Sequence, residues 1–312
     1  MAQSVNTNII SLNAQRNLNT SQSSLATSMQ RLSSGLRVNS AKDDAAGLAI
    51  AERMSAQVRG MNVAVRNAND GISLAQTAEG ALSKIGDNLQ RMRELAVQSR
   101  NATNNEGDRA NLQKEFKELQ SEIDRTIKGT KFNGEALFAS NAATQLSFQV
   151  GAGTDDEDTI KISGAVLGGG TSVAAGSATS STSASAEQDL MATVTGAWDG
   201  TRGIAIGGKA ASGSSVAGAD QAKDAIEVID KALDLINDKR ASFGATQNRF
   251  EAVISNLQVN IENQSAARGR IMDADFATET SNLSRAQILQ QAGSAMVAQA
   301  NQLPQQVLSL LR

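Results

Sequence analysis

IEVIDKALDLINDKRASFGATQNRFEAVISNLQVNI, residues 226–261, carries apolar side chains at every seventh position. A second apolar row lies three positions earlier and is interrupted by Arg240 and Gln247. A repeat of this kind over about five heptads is typical of a helix that supercoils with an equally long partner, and it fits an isolated amphipathic helix less well. The principal row of this predicted seam consists of Ile229, Ile236, Phe243, Phe250 and Leu257.

The first half of the chain contains a matching partner. Apolar residues again recur every seven positions, and a helix is predicted from about Asp43 to Ser99, roughly 85 Å long at ~1.5 Å per residue. Ser40 and Asp43 have the spacing of a capping box at its start. A third helix follows, with an apolar face from Leu112 to Ile127. Three long helices from both halves of the chain are therefore predicted to form one bundle. The first-half row of the seam includes Met54, Met61, Leu82 and Leu89.

The middle of the chain has a different pattern. Residues 145–153 and 158–164 alternate apolar and polar side chains, which predicts a small β-hairpin region. The acidic residues between them, 155–158, could ligate calcium, although a solvated turn is the better interpretation. Residues 164–219 are mostly Gly, Ser, Ala and Thr, a composition that buries little surface. This stretch is predicted to be either a thin β insertion or a mobile loop.

Both chain ends are amphipathic but almost uncharged. Residues 286–312 contain no charged side chain before Arg312, and no charge precedes Arg16. An isolated pair of such helices would be marginal in water. A row of small residues lies beside the C-terminal apolar row, and this spacing favours close approach of another helix. The apolar rows of the two ends consist of Leu18, Leu25 and Leu32, and of Leu289, Met296, Leu303 and Leu310.

The composition excludes several classes of function. The 29 basic and 32 acidic side chains are nearly balanced, which argues against nucleic acid or an anionic membrane as the main partner. The chain has neither Cys nor His, so a disulfide, a thiolate metal site and a Ser-His-Asp or Cys-His enzyme are excluded. No enzymatic activity, metal or cofactor is expected. The N-terminus lacks the features of a cleavable secretory signal, and no apolar run of about 18 residues could span a bilayer.

Four stretches resemble the terminal regions of bacterial flagellin, the protein of the flagellar filament. They are VNTNIISLNAQRNLN, MQRLSSGLRVNSAKDDAAGLAIAERM, NDGISLAQTAEGAL and RAQILQQAGSAMVAQANQLPQQVLSLLR, in the order of the family. The resemblance covers roughly residues 1–163 and 218–312. It implies a mainly α fold in which 1–42 and 273–312 form a terminal coiled-coil core domain. Residues 43–163 and 218–272 would form a helical rod with β-hairpins, and 164–217 a short variable surface insertion.

The resemblance also implies a function and partners. The chain is expected to polymerise into the extracellular filament that drives swimming, with the apolar rows of its two ends as the polymerisation core. Open head-to-tail association of this kind gives a helical polymer. Export without a cleavable signal peptide, an export chaperone that recognises the C-terminal VLSLLR, and the filament cap and hook-associated junction proteins follow from the same likeness. Cytosolic innate sensors recognise a similar end in relatives.

A surface patch carries a further implied role. In flagellins of this type, the segment similar to residues 90–99 contacts Toll-like receptor 5 of hosts and also adjacent protofilaments. Arg91, Leu95 and Glu115 are carried over as receptor-recognition and inter-subunit residues, and we expect Arg91, Glu94 and Leu95 to lie off the packed face of their helix. An Arg, a Leu and a Glu on one flat surface have the chemistry of a binding hot spot.

Two other functions remain as alternatives. A hook-filament junction protein would share the flagellin-like ends but would not elongate alone. A membrane-active secreted coiled-coil protein would insert its apolar ends into lipid, and this predicts Lys or Arg on the polar faces of those ends. Gln, Asn and Ser are found there instead, so insertion into a membrane is not expected.

Overall fold

A computed structural model describes residues 8–138, 145–163, 167, 190–191, 193–195, 204–206 and 218–309. For residues 218–220 and 303–309 it describes the backbone alone. The chain divides into two compact units. The terminal unit consists of Met1–Arg59 and Val259–Arg312, and the central unit of Gly60–Gln258.

Long helices dominate the described residues, as the sequence predicts, and the mainly α fold is confirmed. Two small antiparallel strand pairs accompany them. Residues 190–191 and 193–195 are also helical. The long helices are α1 Ile9–Ser34, α2 Ala45–Ser99, α3 Glu106–Gly129, α4 Gly218–Met272 and α5 Phe276–Ser309; the strands are β1 Lys131–Phe132, β2 Glu135–Ala136, β3 Gln145–Gln149 and β4 Thr159–Ser163.

In the terminal unit, α1 and α5 pack against each other in antiparallel directions. The Asn8 Nδ2 donates to the Ala300 carbonyl at 2.7 Å, and the Ser11 hydroxyl donates to Asn301 Oδ1 at 2.7 Å. At the other end of the pair, the Arg31 guanidinium lies 4.0 Å from the Glu279 carboxylate. These contacts fix the register of the two helices over most of the length of α1.

A backbone clamp joins the end of α1 to the start of α5. Gly35 ends α1 in the left-handed region at φ 70°, where a residue without Cβ avoids strain, and its N–H donates to the Arg31 carbonyl. The Ala274 N–H donates to the Gly35 carbonyl at 2.9 Å, and the Arg37 N–H donates to the Met272 carbonyl at 2.6 Å. The sequence-distant ends of the two helices are therefore held together by main-chain bonds.

The start of α2 differs from the predicted capping box. Asp44 caps the helix by accepting from the Gly47 N–H at 2.8 Å, and α2 begins at Ala45 rather than Asp43. Asp43 instead accepts from the hydroxyl and the N–H of Ser40, which precede the helix. Those Ser40 bonds, the hydroxyl first, hold the pKa of the Asp43 carboxyl below its usual range. The predicted capping residue was wrong: Asp44 caps α2, and Ser40 and Asp43 form a hydrogen-bonded turn just before it.

The core of the central unit lies where α2 and α4 pack in antiparallel directions. Gly71 of α2 is so close to Phe250 that an added Cβ would lie 2.6 Å from the ring Cζ. Further along, Gln247 donates to Glu79 at 3.1 Å. The side chains at the predicted seam positions Met61, Leu82, Leu89, Ile229, Ile236, Phe243, Phe250 and Leu257 are buried, and Met54, in the terminal unit, is half-buried.

The predicted β-hairpin is confirmed and covers part of this core. Strands β3 and β4 pair in antiparallel register, with Phe148 opposite Ile160. The Phe148 ring meets Phe250 edge-on with centroids 5.7 Å apart, and Asn67 of α2 donates to the Gln149 carbonyl at 3.0 Å. The hairpin is therefore anchored to both long helices.

Candidate assembly and recognition surfaces

An apolar surface lies on the outside of the α1–α5 pair. Leu289 and Met296 of α5 are 51% and 57% exposed, and Ile288 beside them is also exposed. Ile9 and Ile10 of α1 expose more than half of their side chains. Scattered single apolar residues are normal on a surface, but Ile10, Leu289 and Met296 line one groove and so form a contiguous apolar candidate surface.

The neighbouring small residues explain why this surface faces outward. Ala286 and Ala300 are buried, and a Cβ added at Gly293 would lie 3.2 Å from Leu18 Cδ1. The small row of α5 therefore packs against α1, which turns the parallel row of Leu289 and Met296 toward solvent. On α1, Leu18, Leu25 and Leu32 are half-buried. The side chain of Leu303 and residue Leu310 lie outside the described residues.

A polar groove of about 470 Å³ lies next to the apolar surface, between α1 and α5. Arg31, Glu279 and Arg285 line it together with serine and threonine hydroxyls of α1. Several of those hydroxyls, such as Thr20 and Thr27, already donate to carbonyls one turn earlier in α1. The Glu279 carboxylate is nearly buried and lies at a long 4.0 Å from the Arg31 guanidinium.

The second surface lies where α2 and α3 run side by side in the central unit. Arg91 of α2 donates through Nη2 and Nε to one oxygen of Glu115 on α3, at 2.7 and 2.9 Å. Its Nη1 donates to Glu94 at 2.9 Å. The bonds to Glu115 first, and to Glu94 second, raise the pKa of the Arg91 guanidinium. All three side chains are about half-exposed or more, so the structure brings Arg91 and Glu115 together on an accessible surface.

The structure corrects the placement of Leu95. Its side chain is fully buried, so the prediction that Leu95 lies off the packed face with Arg91 and Glu94 is wrong. A segment of the insertion is bonded close to Leu95 on this side of α2. Ser99, one turn after Leu95 on the same helix face, donates its hydroxyl to the Ile206 carbonyl, and the Ile206 N–H donates to Gln113 of α3 at 2.6 Å.

More contacts hold this segment in place. Gln120 of α3 is buried and donates to the Val194 carbonyl at 2.7 Å. The side chains of Met191, Val194, Ile204 and Ile206 are buried in the same apolar cluster as Leu95. The described residues between 190 and 206, here called the strap, therefore cover the part of α2 and α3 that the sequence alone presents as open surface.

Val97 is an exposed apolar residue on this part of α2 that the sequence did not single out. Its side chain is 51% exposed and lines a shallow depression of about 480 Å³ with Gln90, Arg93 and Glu94. Arg93 in turn is paired with Asp230 of α4 at 2.6 Å, which raises the pKa of Arg93. The spacing of Val97 four residues after Arg93 and three after Glu94 could have identified it, because these positions share a helix face.

Comparison with known proteins shows what kind of chain carries these surfaces. Residues 5–143 match the bacterial flagellin N-terminal helical region, and residues 226–311 match the bacterial flagellin C-terminal helical region. The chain belongs to the bacterial flagellin family. Flagellins of Serratia marcescens and Xenorhabdus nematophila are each 45% identical to it, over 100% of both chains. A crystal structure of Bacillus cereus flagellin is 27% identical and aligns with a TM-score of 0.44, over 62% of this chain and 88% of that chain.

Membership of the flagellin family gives the general function. The chain is a structural subunit that polymerises into the extracellular bacterial flagellar filament, which serves motility, and it is not an enzyme. Among the described residues, no cluster of acidic side chains is arranged to hold a metal ion. Within the same residues, no helix is both long and apolar enough to cross a membrane.

Proposed function

We propose that the outward row of α5 and the exposed end of α1 form the polymerisation core of this flagellin-family chain. The observation that supports this most directly is the exposure of Leu289 and Met296 beside a small row that is already packed. Burial of such side chains against further copies contributes about 25 cal/mol per Å² of apolar surface removed from water. We include Leu18, Leu25, Leu32, Leu303 and Leu310 in this core.

Seeded growth tests this assignment. Purified subunits are added to short filament seeds, and elongation is followed by electron microscopy. Leu289→Asp places a charge on the proposed surface and is expected to abolish elongation. Gln287→Asp places the same charge at an exposed position on another side of α5 and serves as the matched control. Equal elongation by the two variants would refute the assignment, and failure of both would show that charge anywhere on α5 is harmful.

We also propose how the chain is divided into domains. Residues 1–42 and 273–312 are proposed as the core domain, 43–163 and 218–272 as the rod domain, and 164–217 as the variable insertion. An export chaperone is proposed to bind the C-terminal residues 307–312 before assembly. The filament cap and the hook-associated junction proteins are the other proposed partners.

A second proposal concerns recognition by hosts. Arg91 and Glu115 form an accessible charged pair, and Val97 supplies an exposed apolar side chain on the same segment of α2. Residues of these three types suit a receptor hot spot, and we assign them to contact with Toll-like receptor 5 and with adjacent protofilaments. Leu95 supports the surface from below rather than contacting a partner, because it is buried.

A reporter-cell titration with purified subunits tests the receptor assignment. Arg91→Ala is expected to reduce potency at least tenfold, because it removes a cation assigned to the receptor contact. Arg125→Ala is the matched control, since Arg125 is also exposed and pairs with a glutamate, Glu122, on α3. Unchanged potency of Arg91→Ala would refute the assignment. Leu95→Ala is unsuitable as a test because removing a buried leucine costs about 2–5 kcal/mol of stability.

A further inference from the structure

The methionines of this chain differ sharply in exposure. Met61, Met92 and Met191 are buried, whereas Met29 and Met296 expose 56% and 57% of their surface. A thioether reacts with peroxides in proportion to its accessibility, and the product is a polar sulfoxide. Met29 and Met296 are therefore the described methionines that a peroxide would reach most readily in the free subunit.

The surroundings of Met296 make its oxidation consequential. Met296 lines a groove of about 320 Å³ between α1 and α5, together with the apolar Ile10 and Leu289 and the polar Asn13, Asn17 and Ser21 of α1. Ile10 and Leu289 are themselves half-exposed or more. A sulfoxide at this position would replace an apolar thioether beside Ile10 and Leu289 by a strongly hydrated hydrogen-bond acceptor, and removing the water from that acceptor when another copy covers the surface is unfavourable.

We propose that Met296 is an oxidation site whose conversion to the sulfoxide blocks addition of the subunit to the filament. In the reaction, the sulfur lone pair attacks one peroxide oxygen and the O–O bond breaks. The sulfur is oxidised by two electrons, and hydrogen peroxide is reduced to water. The inference rests on the proposed function, in which the surface around Leu289 and Met296 is buried when subunits associate. It makes assembly sensitive to peroxide before the subunit is incorporated.

The test treats free subunits with hydrogen peroxide, removes the oxidant and measures elongation from untreated seeds. Peptide mass spectrometry locates the sulfoxides. We expect Met296 to be oxidised well before Met92, and the elongation rate of the treated chain to fall at least tenfold. Treatment with methionine sulfoxide reductase is expected to restore the rate. Unchanged elongation with Met296 fully oxidised, or loss of elongation that the reductase does not reverse, would overturn the proposal.

Variants assign the effect to one residue. For each variant, the rate after peroxide is divided by the rate of the same variant before treatment. Met296→Leu is expected to raise this ratio toward one, and the buried control Met92→Leu is expected to leave it low. A result in which Met29→Leu protects and Met296→Leu does not would overturn the proposal. If Met296→Leu elongates too slowly for a ratio to be measured, the reductase experiment on the wild-type chain decides.

A further variant distinguishes failure of the assembly-surface proposal from failure of the oxidation proposal. Leu289→Gln introduces a polar group into the same groove without any oxidant. If untreated Leu289→Gln elongates like the wild type, the surface assignment is wrong and the oxidation proposal falls with it. If Leu289→Gln fails to elongate while the wild type with oxidised Met296 still grows, the surface stands and the oxidation proposal alone is refuted.

Discussion

Replacing Gly71 with alanine should destabilise the central unit, although alanine is the better helix former. In the α2–α4 seam an added Cβ would lie 2.6, 2.9 and 3.1 Å from three carbons of the Phe250 ring, all closer than ordinary contact. The ring has little room to move, because it is fully buried and also packs against Phe148. Overpacking costs typically ~1–3 kcal/mol. Because three contacts are close, we expect a destabilisation of ~3 kcal/mol from overpacking. The better helix propensity of alanine offsets about 1 kcal/mol of this cost.

The expected net loss is therefore about 2 kcal/mol, which corresponds to a fall in Tm of about 4–8 °C for a unit of this size. Thermal unfolding of the free subunit, followed by circular dichroism, measures it. Gly80→Ala is the matched control, because Gly80 lies in the same helix with open space around its Cβ position, and it should raise Tm by about 2–4 °C.

A double variant identifies the cause of the effect. In a Phe250→Leu background, the cost of Gly71→Ala should shrink or reverse, since the ring that the methyl group meets is gone. If Gly71→Ala stabilises the wild-type chain as much as Gly80→Ala does, the packing argument is wrong. An equal cost of Gly71→Ala in both backgrounds would show that the strain arises somewhere other than the Phe250 ring.

Two further predictions concern α5 and the strap. Hydrogen bonds from the Thr278 hydroxyl first, and then from backbone N–H groups of the first turn, lower the pKa of Asp275 from its ordinary 3.8. The ionised carboxylate therefore stabilises the fold above pH 3.8, and this stability is lost as pH falls through the lower folded pKa. In urea unfolding, Asp275→Asn should have a lower free energy of unfolding than the wild type at pH 6, and this difference should disappear in acid. Gln120→Leu leaves the Val194 and Ile204 carbonyls without their amide donor, which should cost about 1–3 kcal/mol and increase proteolytic cleavage of the strap.

The sequence predicts the long helices well because their stabilising pattern is local and periodic. Heptad positions such as Ile229 and Leu82 identify an inward face before any partner is known. The alternation around Phe148 predicts its hairpin for the same reason. The β1–β2 pair has a comparably strong signal in the sequence, the turn dipeptide Asn133–Gly134, whose φ angles are 50° and 86°.

Burial by a distant segment was beyond this kind of reasoning. Leu95 lies outside the principal heptad row, and the helix alone gives no reason for covering it. The strap that covers this face comes from about 100 residues later in the chain, from a stretch whose composition resembles a solvated linker. Contacts of this kind depend on a few hydrogen bonds, such as that of Ser99 to Ile206, and no periodic pattern in the sequence predicts them.

The arrangement of α5 explains how one uncharged helix can be held in the subunit and still remain available to other copies. Ala286, Gly293 and Ala300 allow α1 to approach closely, and this contact uses little apolar area because the side chains are small. The larger Leu289 and Met296 are left outside, where water makes their exposure unfavourable. Reversing the two rows would bury the large side chains within the subunit and leave a surface with little to gain from association. The order of small and large residues along α5 therefore favours a subunit that associates over one that is stable alone.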